Sequence, residues 1–582
     1  MRPGRPGVRL AAAVLVVLAL CAGCASLPES GPVRREAAAA GGEAPSAPYF
    51  NPPGPAEDGS PAAIASGFLV AMQANPLSTK VAREFLTERA ARTWRPNRGT
   101  LVYEAFTVTP GGSGATVRLA DVRRLDARGG WRGDGAGRTQ ELGLDLELEE
   151  GQWRVEDPPD ALVVPASFFD RSFERRTLYF FDPTGDSLLP DPVFIPRGGQ
   201  SATNLVRGLL AGPGPALAQV SRSAFPRGTG LDLSVVVTEG GVAEVPLTRE
   251  LLRASPADLE RAADQLAWTL RQVPQVSRVR MVVGGAPVPL PRGVVEVPVS
   301  TAPDLDAAGD TESVLFGLRG GRVVAFDGGA AEPVAGPLGR AGFETRSLAV
   351  STATGRVAAV SEDGSTVFEA PLDQPSEGED VRQVLSGTDL LRPSYDRFGG
   401  LWVVDRTAAG ARVWLVEDGR ARQVQVRGVT GEAVAAAAVS HDGTRLAVAA
   451  SGRTVARVRV VDVLRTDEGL VTGTGRSRPL SVAGDAAQAV DVGWRDPATL
   501  AVLSRTGAET SRVDYVSADG SPVAPGLVEP SLFRDRAVAL VVSPQLDVPL
   551  RLVTADQRLF TLAAGGTWPR TGSQLVAATY SP

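Results

Sequence analysis

The chain has 582 residues, a formal net charge of −6, two cysteines and one histidine. Its length exceeds what one hydrophobic core supports, so about three or four domains are expected. The mild negative charge gives no basic surface for binding nucleic acid. A Ser-His-Asp triad or a histidine-based zinc site would have to use His441 as its only histidine. We therefore predict no nucleic-acid partner, no catalytic residue, no metal site and no cofactor.

Residues 1–23 have the layout of a bacterial secretory signal peptide. Arginines at positions 2, 5 and 9 precede an apolar run over 10–20, which is too short to span a bilayer comfortably. Residues 20–24, Leu-Cys-Ala-Gly-Cys, resemble the lipobox, whose cysteine receives a diacylglycerol before cleavage ahead of it. The resemblance implies that Cys24 becomes the lipidated first residue and anchors the protein at the extracytoplasmic face of the cell membrane. The alternative is a transmembrane anchor, which would need a longer span and positive flanks on the far side.

The position of the cysteines also limits the chemistry of the mature chain. Only Cys24 would remain after cleavage, and it would carry the lipid, so no disulfide, thiol nucleophile or cysteine metal site is expected. Residues 24–60 are rich in Pro, Gly, Ala and Glu, and Pro-Pro-Gly-Pro at 52–55 suits neither a helix nor a sheet. Residues 24–60 are therefore predicted to be a lipidated tether.

Residues 61–161 are predicted to form a small α+β domain. Ile64, Phe68 and Met72 share one helical face, and a second apolar stripe over 81–90 predicts a second amphipathic helix. Leucines alternate with polar residues over 142–148, Glu150-Gly151 is a turn, and the alternation restarts at 153. Helices before a curved antiparallel sheet resemble the nuclear-transport-factor-like (NTF2-like) and cystatin-like folds. No acids or histidines converge, so a scaffold is favoured over a ligand pocket.

Residues 162–300 read as an α/β domain with alternating element types. The second helix opens at Ser255-Pro256, where Ser255 can cap and Asp258 completes a capping box. The element order predicts one sheet with both helices on one face. The elements are a strand at 177–181, a helix at 202–210 ending at Gly212-Pro213, strands at 231–237 and 242–247, the helix from 255, and a strand at 276–283.

The same segment resembles the GerMN domain of sporulation, germination and cell-envelope lipoproteins. This family resemblance implies an α/β sandwich that serves as a binding or assembly module without known chemistry. The residues themselves mostly make turns, caps and core, so a structural role is favoured over a ligand site. The matching motifs are Tyr-Phe-Phe-Asp at 179–182, Leu-Leu-Ala-Gly-Pro at 209–213, Ala-Phe-Pro-Arg-Gly-Thr at 224–229, Trp-Thr-Leu at 268–270 and Val-Ser-Arg-Val-Arg at 276–280.

Residues 304–582 consist of short β-rich runs divided by Gly and Asp-Gly turns, which predicts an all-β propeller. Pairs of buried strands recur along this region, and a four-stranded blade needs roughly 40 to 50 residues. Six blades fit best and seven are the alternative, with 574–580 supplying a strand to the blade begun at 313–318. The predicted equivalent positions, spaced by 43, 46, 54 and 49 residues, are Ser351, Ser394, Ser440, Trp494 and Ser543.

Two features of this region could suggest chemistry. Four Asp-Gly pairs, at 363, 418, 442 and 519, could suggest calcium loops, but no EF-hand ligand series surrounds them, so hairpin turns are favoured. His441 precedes one of these turns. It is interpreted as a turn or blade-packing residue in preference to a general base, because no Gly-x-Ser-x-Gly motif accompanies it.

The order of lipobox, tether, α+β domain, GerMN-like domain and propeller resembles the LpqB lipoprotein family of actinobacteria over essentially the full mature chain. The resemblance implies an accessory lipoprotein of the MtrA-MtrB two-component system. Its partner would be the extracytoplasmic domain of the MtrB sensor histidine kinase, with effects on envelope homeostasis, division and development. Spacing and composition identify neither that partner nor the residues that contact it.

A function of a different class is also compatible with the sequence. Carboxylate pairs can do acid-base work without histidine, so the chain could be an envelope enzyme that processes glycan or peptide with propeller carboxylates. No acid pair stands out among the many surface acids. We therefore favour a non-enzymatic regulator over this alternative.

Overall fold

The computed structural model describes residues 49–133, 139–309, 314–327, 330–340, 342–373, 380–452, 457–482, 487–524, 527 and 530–581. The predicted leader, the predicted lipidation site Cys24 and most of the predicted tether lie outside the described residues. The tether prediction extends to residue 60, yet residues from Phe50 onward already contact the first domain. Phe50 and Asn75 exchange backbone hydrogen bonds of 3.0 and 2.9 Å.

The first domain begins with helices whose caps follow from the sequence. Helix α1 (Pro61–Ala71) is capped by Ser60, whose side chain accepts a hydrogen bond from Ala63 N. The prediction of one continuous second helix is wrong. The structure has two short helices instead, α2 (Lys80–Glu84) and α3 (Glu88–Thr93). The break lies at Thr87, whose hydroxyl caps α3 and whose amide donates to Val155 O at 3.0 Å.

The strands of this domain form two sheets. The antiparallel sheet has the order β2-β3-β5-β6, and β1 pairs with β4 and, in parallel, with β7. The predicted alternation is confirmed for Leu144 and Leu146, which are buried, whereas Leu148 is exposed. The strands are β1 (Gly99–Tyr103), β2 (Ala105–Gly111), β3 (Gly114–Ala120), β4 (Arg123–Asp126), β5 (Gln140–Glu149), β6 (Gln152–Val155) and β7 (Leu162–Pro165).

The second domain, which is the GerMN-like one, follows helix α4 (Ala166–Ser172). Its helices contact each other, and the longer one, which Ser255 caps, contacts both β8 and β12. The elements are β8 (Phe173–Phe181), β9 (Leu188–Pro196), α5 (Ser201–Leu210), β10 (Val236–Val237), β11 (Val242–Leu247), α6 (Pro256–Leu270), β12 (Arg278–Val283), β13 (Ala286–Pro287) and β14 (Val297–Pro298).

The expected single sheet of this domain is wrong. The strands β8 and β9 form a two-stranded sheet of their own, and β10 to β14 form the other. Sequence reasoning missed β9 because Pro190 and Pro192 argue against a strand. Both prolines are tolerated because β8 is the regular strand partner of β9, whose other edge forms only isolated bridges to Gly130 and Asp306. The predicted strand 231–237 is also shorter, since only β10 is regular.

The third region contains six four-stranded antiparallel sheets in its described residues. Each sheet consists of consecutive strands, except that the last strand completes the first sheet. The strands are β15 (Leu315–Arg319), β16 (Arg322–Asp327) and β17 (Ala330–Pro333); then, after helix α7 (Pro337–Arg340), β18 (Thr345–Ser351), β19 (Arg356–Ser361), β20 (Thr366–Pro371) and β21 (Arg382–Ser386); β22 (Ser394–Tyr395), β23 (Leu401–Thr407), β24 (Gly410–Glu417) and β25 (Arg420–Val424); β26 (Val434–Val439), β27 (Arg445–Ala450), β28 (Arg457–Arg465) and β29 (Val471–Ser481); β30 (Gln488–Asp496), β31 (Thr499–Gly507), β32 (Thr510–Ser517) and β33 (Ser531–Phe533); β34 (Ala537–Val541), β35 (Arg551–Thr554), β36 (Arg558–Thr561) and β37 (Arg570–Gln574); and β38 (Ala577–Tyr580).

The ring of sheets is closed by pairing of the chain's end with the start of the region. Strand β38 pairs with β15, Leu315 lying opposite Tyr580, which confirms the expected closing strand. Six apolar clusters follow the ring, and each combines side chains from two neighbouring sheets. Closure therefore buries the sheet faces against one another and leaves the first and last sheets joined.

Candidate functional site: domain junctions and the propeller channel

The sequence assigned one site residue, Cys24, and it lies outside the described residues. Within the described ranges, no group of three or more His, Cys, Asp or Glu side chains could hold a metal ion. Across the same residues, no helix has the length and apolar character needed to cross a membrane. The features that remain to be considered are the contacts between domains and the centre of the propeller.

Most residues of the GerMN-like motifs have structural roles, as their local patterns indicated. Phe180 and Trp268 are buried, and Trp268 Nε1 donates to Thr301 O at 3.1 Å. The guanidinium of Arg271 lies 3.6 Å from the Trp268 ring centroid, which covers the indole. Phe225 belongs to the core of the domain. These side chains build the domain and leave its outer contacts to other residues.

One motif residue does more than stabilise its own domain. Asp182 is completely buried and accepts hydrogen bonds of 3.0 Å from the amides of Gly185, Asp186 and Ser187. It therefore shapes the loop between β8 and β9. The cation that balances Asp182 comes from the propeller, because Arg397 Nη2 lies 2.9 Å from its carboxylate. This pair joins residues 215 positions apart.

The surroundings of Arg397 make this junction rigid. The same Nη2 donates to Thr184 Oγ1 at 2.9 Å, and the guanidinium lies 4.5 Å from the Phe398 ring centroid. The guanidinium carbon of Arg465 lies 4.3 Å from the Phe398 ring centroid, and Arg465 forms a buried ion pair with Asp396. A short polar loop of the GerMN-like domain is thus held by a cation that is itself packed into the propeller.

His441 lies at the same junction, which refines its predicted role. Its carbonyl accepts a 3.0 Å hydrogen bond from Arg397 N. Gly309, at the start of the propeller region, lies so close that a Cβ there would be 2.3 Å from His441 Nε2. Burial lowers the pKa of His441, so the imidazole is neutral near pH 7. His441 packs against the segment that enters the propeller, and no serine nucleophile contacts it among the described hydrogen bonds.

Two further contacts unite the domains. Arg128 of the first domain, almost fully buried, forms an ion pair of 2.8 Å with Asp191 of β9. Between the GerMN-like domain and the propeller, Gln219 Oε1 accepts a 2.8 Å hydrogen bond from the backbone N of Arg476 in β29. Residues 49–582 accordingly form one compact unit.

The propeller channel is too small for a substrate. The cavity lined by the first strands of the sheets has a volume of about 90 Å³, well below the roughly 300 to 1,000 Å³ typical of ligand pockets. Arg392 lies across it, with Nη2 2.9 Å from Asp491 and Nη1 donating to Leu540 O at 2.9 Å. Arg392 therefore occupies the centre of the propeller, where its ion pair reaches β30 and its hydrogen bond reaches β34.

Two buried acids of the propeller, Asp396 and Asp442, have structural roles. Asp396 accepts hydrogen bonds from Trp402 Nε1 and from two backbone amides. Burial acts to raise the pKa of Asp442, but Arg445 and the Thr444 hydroxyl hold the pKa below its usual range. A carboxyl group with a lowered pKa and saturated oxygens is a poor general acid.

The predicted Asp-Gly turns are confirmed. At three of the four, the aspartate accepts bonds from hydroxyl residues two positions before and two after it, and each following glycine has a positive φ, between 69° and 83°. These turn-closing bonds occupy oxygens that a calcium ion would need. The acids in these turns are Asp363, Asp442 and Asp519.

Comparison with known protein families agrees with this architecture. The family model described as "Lipoprotein LpqB, N-terminal domain" matches residues 54–170, and that described as "Lipoprotein LpqB beta-propeller domain" matches 321–571. The chain belongs to the LpqB lipoprotein family. Between these matches, the family model "Sporulation and spore germination" covers residues 177–289. This chain therefore carries a GerMN-like domain between its first domain and its propeller.

Relatives of the same name match the chain along nearly its full length. Lipoprotein LpqB of Streptomyces avermitilis is 28% identical, over 99% of this chain and 98% of that protein. Lipoprotein LpqB of Thermobifida fusca is 29% identical, over 88% and 90%. The first GerMN domain of the sporulation protein GerM from Bacillus subtilis is 22% identical, with a TM-score of 0.18, and covers 21% of this chain and 93% of that one. The LpqB relatives are named as lipoproteins and not as enzymes.

Proposed function

We propose that this LpqB family member is a lipid-anchored, non-enzymatic regulator that binds the extracytoplasmic domain of a sensor histidine kinase. The anchor would be the lipid on Cys24, at the extracytoplasmic face of the cell membrane. The family assignment supports the lipoprotein part of this proposal. The regulatory part rests on the resemblance of the whole domain order to LpqB proteins.

The observation that carries the proposal is the construction of residues 49–582 as one body. Asp182 with Arg397, and Asp191 with Arg128, place ion pairs with buried carboxylates at both domain junctions. The propeller channel is bridged by Arg392, and the buried acids Asp396 and Asp442 have structural partners. A body whose propeller channel is closed in this way suits the presentation of a fixed surface to a partner better than it suits turnover of a substrate in that channel.

Anchoring on one membrane would make a weak interface sufficient. Two proteins confined to the same surface reach an effective concentration of about a millimolar, so an affinity that is poor in solution still gives a populated complex. Loops on a rigid propeller are a natural place for such contacts, and we assign the larger share of the interface to the propeller. The first two domains would set its distance from the membrane.

The test is photo-cross-linking in native membranes. Lysine-directed reagents are unsuitable because Lys80 is the only lysine. A photoreactive amino acid would instead replace single exposed apolar residues, which are Leu470 and Leu532 on the propeller, Leu233 on the GerMN-like domain and Leu148 on the first domain. We expect adducts with the kinase from the propeller positions.

Two outcomes would revise the proposal. No kinase adduct from any position, combined with no capture of the kinase sensor domain by residues 49–582, would refute the kinase assignment. Adducts from Leu233 or Leu148 alone would move the interface to the first two domains. A parallel screen of residues 49–582 for turnover of envelope glycan and peptide addresses the enzyme alternative, for which we expect no product.

A further inference from the structure

A cleft of about 1070 Å³ lies where all three domains meet. The first domain contributes β4 and the loop that follows it, the GerMN-like domain contributes Asp191 and residues 214–216, and the propeller contributes β29 and the turn after β32. Its volume is that of a pocket for a small organic ligand, and junctions between domains are common places for such pockets.

The carboxylates that line the cleft are already engaged. Glu104 forms an ion pair with Arg123, and Asp191 is bound by Arg128 and by the amide of Gly214. Asp519 accepts three hydrogen bonds from Ser517 and Ser521 within its own turn. The fourth acid, Asp121, is not free either. The acids of the cleft therefore offer little capacity for a cationic ligand.

Two exposed arginines of the cleft retain donors that are not used within the described part of the chain. Arg132, on the wall formed by the first domain, pairs through Nε with Asp126 at 3.2 Å, and 44% of its side chain is exposed. Arg476, on the propeller wall, is exposed, and its guanidinium donates only to Pro215 O at 3.4 Å among the described residues. A guanidinium presents five N–H donors, so both Arg132 and Arg476 retain several donors that form no hydrogen bond to the described residues.

We propose that this cleft binds a small organic molecule bearing an oxyanion, a carboxylate or a phosphate, between Arg132 and Arg476. Guanidinium groups bind both kinds of oxyanion in a planar, two-bond geometry. Because Arg132 belongs to the first domain and Arg476 to the propeller, a bound anion would connect these two domains directly. The inference does not depend on a kinase partner, and its test contains none.

The test uses three hexoses of similar size that differ in charge. Glucuronate carries a carboxylate, glucose 6-phosphate carries a phosphate, and glucose is neutral. Each would be titrated into residues 49–582, which form one compact unit, by isothermal calorimetry at low and at physiological salt. We expect at least one anion to bind, with an affinity that falls as salt increases, and glucose not to bind. The anion that binds identifies the class of oxyanion.

Variants assign the binding to the two arginines. Arg476→Gln and Arg132→Gln should each weaken binding of the anion by about tenfold, which is the loss expected for a charge-assisted hydrogen bond. Arg420→Gln is the matched control, because Arg420 is an exposed arginine on β25, the corresponding outer strand of the neighbouring sheet. It should bind as the parent does. Since Arg476 is exposed, its variant is expected to keep the fold, and thermal unfolding of each variant would verify this.

Three results would overturn the inference. Failure of both anions to bind at concentrations up to about 10 mM would contradict it, since that is well above the affinity expected for two charge-assisted contacts. Equal binding of glucose would show that the oxyanion is not recognised. Unchanged binding by Arg476→Gln and Arg132→Gln, with folded variants, would place the anion elsewhere.

Discussion

The contact between Asp182 and Arg397 should be the main polar bond between the GerMN-like domain and the propeller. Replacing Arg397 by Met keeps an apolar stem for packing on Phe398 but removes the cation from a carboxylate that is 1% exposed. Loss of one partner from a buried pair usually costs about 3 to 5 kcal/mol. We expect about 3 kcal/mol, because Thr184 and three backbone amides still donate to Asp182.

A double-mutant cycle would isolate the pair from these other bonds. The variants are Asp182→Asn, Arg397→Met and the two together, each compared by equilibrium urea unfolding, with Arg570→Met as an exposed control on the propeller. We expect a coupling energy of about 2 kcal/mol between the two positions, and faster proteolysis of residues 301–309 in both single variants. A coupling energy below about 0.5 kcal/mol would refute the view that this pair holds the domains together.

The remaining predictions concern the anchor, a buried acid and a tight backbone contact. Cys24→Ala should abolish labelling by radioactive fatty acid and leave an unprocessed precursor, and a labelled, processed variant would contradict the lipidation site. Burial raises the pKa of Asp264 to about 6, so the protonated acid favours the folded state, and this stability is lost as pH rises from about 4 through 6. Asp264→Asn should therefore raise the free energy of unfolding by about 1 kcal/mol at pH 7.5, a magnitude reduced for partial exposure, and should have little effect below pH 4. Gly129 has a φ of +82° and a Cβ there would lie 2.1 Å from a backbone oxygen, so Gly129→Ala should destabilise the junction of the first two domains by about 2 kcal/mol or more in thermal unfolding. Gly133→Ala is the control for backbone strain, because Gly133 also has a positive φ but no atom lies within 4 Å of the position of an added Cβ. This variant should lower the thermal stability less than Gly129→Ala does.

Local signals in the sequence determined much of the fold. The hairpin of β5 and β6 could be predicted because alternation of side chains and the turn at Glu150-Gly151 depend only on neighbours in the chain. The start of α6 could be predicted because Ser255 and Asp258 form their capping contacts within one turn. The repeated strand pairs of the propeller and its closing strand were visible for the same reason, since each repeat carries its own pattern.

Tertiary structure decided the features that depend on distant partners. The break at Thr87 exists because Val155, far along the chain, offers a carbonyl to its amide. Strand β9 exists despite its prolines because it needs only one neighbour. The leader and the lipidation of Cys24 are predicted from sequence alone because the proposed signal is a linear motif. The bond from Asp182 to Arg397 and the cleft between Arg132 and Arg476 could not, because each brings together side chains whose separation in sequence carries no pattern, and only packing of the domains places them face to face.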